Sequence, residues 1–194
     1  DKTGADFEMS VQSIHDRLLA NPVPVQIPMG AEDSFAGIID LITLRAVFYE
    51  AEEMGAKFHE TDIPAEYVKK ANKYRARMLE VAAEHDEEVM EAFIHDEPAS
   101  EEAIRRALRK GVLANKVNPV FVGSALKYIG VQRLLDGVTA YLPSPLERPV
   151  IIGHKPGDET KEIPVKCDPK GHLVALAFKI TADTHGDLYF LRIY

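Results

Sequence analysis

Two short stretches carry residue types suited to ligand chemistry. One is Asp1-Lys2-Thr3-Gly4-Ala5-Asp6, a turn bearing carboxylates. The other is Gly123-Ser124-Ala125-Leu126, a small-residue turn that follows the apolar Val120-Phe121-Val122. Gly, Ser and Ala have little bulk, so backbone N–H groups in such a turn can approach a flat ligand closely. By itself the tetrapeptide also fits plain strand-to-helix packing, and Asp1 also fits an ordinary turn carboxylate. Other candidates carry less. His59-Glu60, His95-Asp96 and His154 lack the spacing of a zinc site such as His-Glu-x-x-His, and read as surface histidines. Cys167 is the single cysteine, which excludes an internal disulfide and a cysteine-rich metal site, and it has no general base beside it. No Gly-x-x-x-x-Gly-Lys-[Ser/Thr] occurs, so the chain has no phosphate-cradling loop of that type.

Composition narrows the classes. The 194 residues allow one large domain or two smaller ones, and 46% hydrophobic residues can bury a core. A formal charge of −8, from 31 acidic and 23 basic residues, argues against a nucleic-acid face spread over the whole chain. Residues 111–194 alone have a positive balance, with 10 bases against 8 acids. No apolar run approaches a membrane span and no secretory signal is present, so a cytoplasmic location without membrane contact is expected. The chain opens inside a turn and closes at Tyr194 within an alternating apolar run, the pattern expected of a piece of a longer protein.

The elements that must position these stretches follow from periodicity. Phe7, Val11, Ile14 and Leu18 predict a helix over 7–20, capped by Asp6 and stopped by Asn21-Pro22. Val23 to Pro28 reads as one strand, Gly30 to Ser34 as a polar loop, and 35–41 with 43–50 as an antiparallel pair whose turn is poorly marked. Residues 51–62 read as a charged loop. Pro64 starts a long helix over 65–85, with Tyr67, Ala71, Tyr74, Met78, Val81 and His85 on one stripe and the tyrosines in core packing. A second helix turns Val89, Met90, Phe93 and Ile94 inward. A third runs from Glu101 to Lys110, capped by Ser100 and stopped by Gly111. After the strand 120–122 and the small-residue turn, Val131, Leu134, Leu135, Val138 and Leu142 form the stripe of another helix. Pro143-Ser144-Pro145 ends it. Beyond Val150 the chain reads as β-structure, with strands over 173–181 and 188–194 joined by 182–187.

Together with Asp1–Phe7, several stretches in one order resemble translational GTPases, and most closely the bacterial elongation factor G family. They are Pro28-Met29-Gly30 with Phe35–Leu41, Pro119–Lys127, Gly130-Val131-Gln132, Tyr141–Pro145 and Ala175–Lys179. The resemblance covers essentially the whole chain. It implies that Asp1 ends an Asn-Lys-x-Asp guanine motif whose Asn and Lys lie upstream. Gly123 to Leu126 would be the second guanine loop, with Ser124, Ala125 and Leu126 in the site. The Asp-x-x-Gly spelling of Asp1–Gly4 is then coincidental, and the family's switch regions, magnesium ligands and catalytic histidine would also lie outside this chain. No residue here is given a catalytic or metal-binding role. The chemistry suits the pairing. Guanine presents N1–H and a 2-amino group side by side, and one carboxylate can accept both. Adenine offers neither feature. A site built on such bonds can reject the analogue by ~10⁴-fold. The Ala125 N–H could donate to O6, Ser124 could hold the Asp1 carboxylate, and Leu126 fits packing.

Asp1 and Ala125 lie 124 positions apart, farther than a minimal GTPase needs between these loops. The fold expected is α/β: the C-terminal part of a P-loop-type GTPase domain with an inserted α/β subdomain, followed by the start of a β-barrel. Residues 1–29 and 118–145 would belong to the GTP-binding domain, 30–117 to an insert like the subdomain called G prime, and 146–194 to a linker and truncated barrel. The resemblance implies a parent that uses GTP hydrolysis to drive ribosomal translocation of tRNA and mRNA. It implies Mg²⁺ and GTP or GDP as cofactors of that parent, with ribosomal RNA and the stalk protein as partners. A peptide-release or ribosomal-protection GTPase, or a ribosome-docking module without nucleotide chemistry, fits the same stretches. Alone, the chain is expected to bind no nucleotide detectably and to hydrolyse no GTP.

Overall fold

The computed structural model describes all residues except 51–54, 56, 156 and 185. It divides into two units, 1–142 and 143–194. In the first, α1 (Phe7–Leu18) is capped by Asp6, whose Oδ1 accepts the Met9 N–H at 2.7 Å. The helix stops short of the expected 20 because Leu19 turns left-handed at φ 51, and no α1 residue is fully buried.

The run expected as one strand is two strands in different sheets. β1 (Pro22–Pro24) pairs in parallel with β6 (Asn118–Val120), whereas β2 (Gln26–Met29) pairs antiparallel with β3 (Gly37–Asp40). Val25 is the joint: its N–H bonds the Val120 carbonyl and its carbonyl accepts from Leu41 N–H, each at 3.0 Å. β6 ends at Val120 rather than Val122. The Val122 N–H is taken by the Gln26 side-chain oxygen at 3.2 Å, which terminates the ladder.

β3 and β4 (Arg45–Tyr49) form the expected antiparallel pair. Their turn is closed by Asp40, whose Oδ1 accepts the N–H groups of Ile42 and Thr43 at 2.9 and 3.1 Å. Residues 51–54 and 56 of the expected charged loop lie outside the described residues. Its end is an added edge strand, β5 (Phe58–Thr61), paired antiparallel with β4. Ring contacts of Phe48 with His59 and Tyr49 with Phe58 hold it, a gain that charge content alone conceals.

α2 (Ala65–Ala83) buries Ala71, Met78 and Val81 as its stripe requires. α3 (Glu87–Ile94) buries only Val89. Met90, Phe93 and Ile94 are exposed, because this two-turn helix touches its neighbours along one edge. α4 (Glu101–Leu113) is capped by Ser100, but it passes through Gly111. Gly111 serves packing instead. A Cβ there would lie 2.4 Å from Val117 Cγ2 and 2.7 Å from His85 Cδ2. The chain reverses at Asn115 (φ 55), and the Lys116 and Val117 N–H groups return to the Gly111 carbonyl. α5 (Val131–Tyr141) turns Gly137 and Tyr141 inward, while Leu134, Leu135, Val138 and Leu142 face out. The Phe121 ring, centred 6.2 Å from that of Tyr141, fills the space Gly137 leaves, and this sets the helix's rotation. One core cluster joins Val23, Ile27, Ile39 and Leu41 to Met78, Ile104 and Leu108.

The second unit contains two antiparallel hairpins, β7 (Ile151–Lys155) with β8 (Asp158–Val165) and β9 (Ala175–Asp183) with β10 (Gly186–Ile193). The expected strands at 173–181 and 188–194 therefore run closer together, to the pair Asp183–Gly186. Residue 185 of their connection lies outside the described residues. No described residue of this unit is fully buried.

Candidate guanine-nucleotide site

The Gly123–Gly130 segment is a pinched loop. Ser124 N–H bonds the Ile129 carbonyl at 2.9 Å and Ile129 N–H returns to the Ser124 carbonyl at 3.0 Å. Between them Ala125 to Tyr128 turn back, with Tyr128 N–H on the Ala125 carbonyl at 3.3 Å and Tyr128 at φ 57. Glycine is required at both necks. A Cβ on Gly123 would sit 2.5 Å from the Ile129 oxygen, and one on Gly130 (φ +77) 2.5 Å from the Val122 oxygen.

Burial splits the predicted site residues. Ser124 is buried at the loop base, while Ala125 and Leu126 lie on the exposed tip. The Ala125 N–H has no partner among the described residues, so it is free to donate to a ligand. The Ser124 hydroxyl oxygen accepts the Lys127 N–H at 3.2 Å. Contrary to expectation, its hydroxyl makes no hydrogen bond to the Asp1 carboxylate among the described residues; it serves to close its own loop. Asp1 is half-buried, in a turn closed by Ala5 N–H on the Lys2 carbonyl at 3.0 Å with Gly4 at φ 80.

Asp1 and Gly123 line one cleft of about 340 Å³, walled by Phe7, Pro28, Phe35 and Phe121. Its walls are mainly apolar and aromatic, and Asp1 and Asp6 are among its lining residues; of the predicted loop only Gly123 lines it, and Ser124, Ala125 and Leu126 do not. Aromatic walls with a carboxylate among them fit a flat base that carries adjacent donors. Lys70, which the helix stripe gave no reason to single out, stands beside Phe7. Its Nζ is 5.9 Å from the Phe7 ring centre and 2.6 Å from Glu8 Oε1. That bond holds the Glu8 carboxyl below its usual range. Burial, with Glu8 nearby, pushes the Tyr74 hydroxyl up. Glu32 was also missed: its Oε1 accepts the Gly4 N–H at 2.6 Å. A polar loop in sequence carries no signal for such a contact 28 positions away. Among the described residues no group of three or more His, Cys, Asp or Glu is placed to hold a metal ion.

No protein-family model matches the chain. Over its whole length it is 45% identical to elongation factor G 1 of Bdellovibrio bacteriovorus. The chain belongs to the elongation factor G family. It spans 28% of that relative's length. A crystal structure of a protein from Thermus thermophilus matches 99% of this chain and 26% of its own, with a TM-score of 0.71 at 25% identity. The elongation factor G resemblance and the mixed α/β architecture therefore agree. No helix among the described residues is long and apolar enough to cross a membrane.

Proposed function

We propose that this chain supplies the base-recognising part of a translation elongation factor that binds GTP and GDP. Asp1 accepts guanine N1–H and the 2-amino group, the Ala125 N–H donates to O6, Ser124 fixes the loop base, and Leu126 borders the tip. The observation that carries this reading is that Asp1 and Gly123, at opposite ends of a long excursion, line one aromatic cleft. The family relationship supports it. Residues 1–29 and 118–145 are read as parts of the GTP-binding domain, 30–117 as its G-prime-like insert, and 146–194 as a linker and the start of a β-barrel. The whole protein would couple GTP hydrolysis to movement of tRNA and mRNA on the ribosome in the cytoplasm, meeting ribosomal RNA and the stalk protein. Phosphates and Mg²⁺ would be held by residues outside this chain, because the sequence has no Gly-x-x-x-x-Gly-Lys-[Ser/Thr].

The test is base discrimination in the full-length protein. Inosine diphosphate keeps O6 and N1–H but lacks the 2-amino group. The unaltered protein should prefer GDP over it by roughly tenfold or more, the worth of a hydrogen bond to a charged acceptor. Asp1→Asn should erase most of that preference in titration calorimetry. A preference that survives Asp1→Asn undiminished removes Asp1 from the site.

A further inference from the structure

The two sides of the cleft meet directly where β1 pairs with β6 and the Gln26 side-chain oxygen of β2 takes the Val122 N–H, and both are also braced by the sheet that follows. On the Asp1 side, the Glu32 carboxylate grips the Gly4 N–H at 2.6 Å, and Glu32 itself sits at φ 52 in a short helical turn over 32–34. On the loop side, Ile129 is buried with Phe35, Ile38 and Val47. Gly55 (φ +73) presses on the loop backbone so closely that a Cβ would lie 2.2 Å from the Tyr128 carbonyl oxygen. The loop runs directly into α5, and the same contacts continue there. Val131 opens that helix, and Arg133 lies in its first turn. Arg133 Nη1 is 3.4 Å from Asp40 Oδ2, Nη2 pairs with Glu60, and the guanidinium lies 5.4 Å from the Phe58 ring centre. All three of these partners come from β3 or β5.

We propose that the sheet β2-β3-β4-β5 and its turns help to set the geometry of the base-binding cleft, with Glu32 and Arg133 as positioning residues. Glu32 fixes the Asp1 turn and Arg133 fixes the loop through the start of α5. This inference rests on the guanine reading above. A base held by a carboxylate on one side and an N–H on the other is sensitive to the spacing between them, and a body that touches both sides helps to set that spacing. By linkage, whatever shifts the sheet changes nucleotide affinity, and nucleotide changes the sheet's affinity for its own partners by the same factor.

The experiment measures release of fluorescent GDP from the full-length protein. Glu32→Ala and Arg133→Met should each speed release by about five- to tenfold, the lower end of the usual span of such coupling. Glu32→Gln should restore the slow rate, because its amide oxygen accepts the same Gly4 N–H. Arg106→Ala, which breaks an ion-pair network between α3 and α4, should lower thermal stability and leave release unchanged. Unchanged release in both folded brace variants overturns the proposal, as does equal acceleration in Arg106→Ala. The GDP and inosine diphosphate comparison with Asp1→Asn separates the two ideas. If Asp1→Asn fails to narrow the preference, the guanine reading falls; if it narrows while the brace variants release GDP normally, only the brace falls.

Discussion

Asp86 shows how much one side chain can organise. Its side chain is 3% exposed, and it accepts from Arg106 Nε at 2.8 Å, Arg106 Nη2 at 2.9 Å and Lys110 Nζ at 2.7 Å, while also capping α3 through the Glu88 N–H. Its bonds to Arg106 come first among the causes that hold its carboxyl well below the usual carboxylate range, followed on the same side by Lys110. Asp86→Asn should cost about 2 kcal/mol in urea unfolding, the scale of a hydrogen bond to a charged group. Because the folded form resists protonation, this contribution is complete above the ordinary value of 3.8 and is lost as pH falls below it. The deficit of the variant should therefore shrink in acid; a deficit independent of pH would remove Asp86 from this role. The sequence showed the charges of His85-Asp86-Glu87-Glu88 but not this network, because Arg106 lies 20 positions away on another helix. The same limit explains Ser124. Its residue type was legible, but its partner was decided by a loop closure that only the fold reveals.

At the scale of elements, legibility followed period and length. α2, with five turns of regular stripe, was readable almost to its ends. The short pieces were not: β5 hid in a charged run, and the strand around Val25 divided because its backbone changes partners, which no side-chain pattern records. Helix faces failed where a single close contact set the rotation, as Gly137 and Phe121 do for α5. The end of α4 offers a direct test. Alanine at Gly111 gains about 1 kcal/mol of helix propensity. Against this, its methyl would enter the space of Val117, which is 1% exposed and has a stiff β-branched side chain. Overpacking of this kind costs about 1–3 kcal/mol, so Gly111→Ala should lower the melting temperature. An unchanged or raised value would mean that the 115–117 backbone yields freely despite its bonds to the Gly111 carbonyl.

For the molecule as a whole, the two units differ in what holds them. Residues 1–142 share buried cores, whereas the described residues of 143–194 bury none fully and are organised as paired hairpins. Hairpins without a covered face are marginal in water. Limited proteolysis should therefore cut first between Pro143 and Pro149 or within the hairpins and leave a resistant product ending near Leu142. Early cutting within α2 or α4 would contradict this division. The change of character from Val150 onward was legible in the sequence, whereas the single core joining β1 and β2 to α2 and α4 was not, since it depends on contacts far apart in the chain.

The parallel pairing of β1 with β6 has a consequence in time. Asn21 and Asn118, which bond each other at the start of this pair, are 97 positions apart. At ordinary rates of synthesis the first strand is complete about 5–20 s before its partner exists. During that interval the sheet from β2 to β5 can pair, because its ladders lie within its own span, while the core it shares with Val117 and Tyr141 closes afterwards. The excursion thus has the order of events in its favour: its sheet forms first, and the last strand to arrive finds part of its place already built.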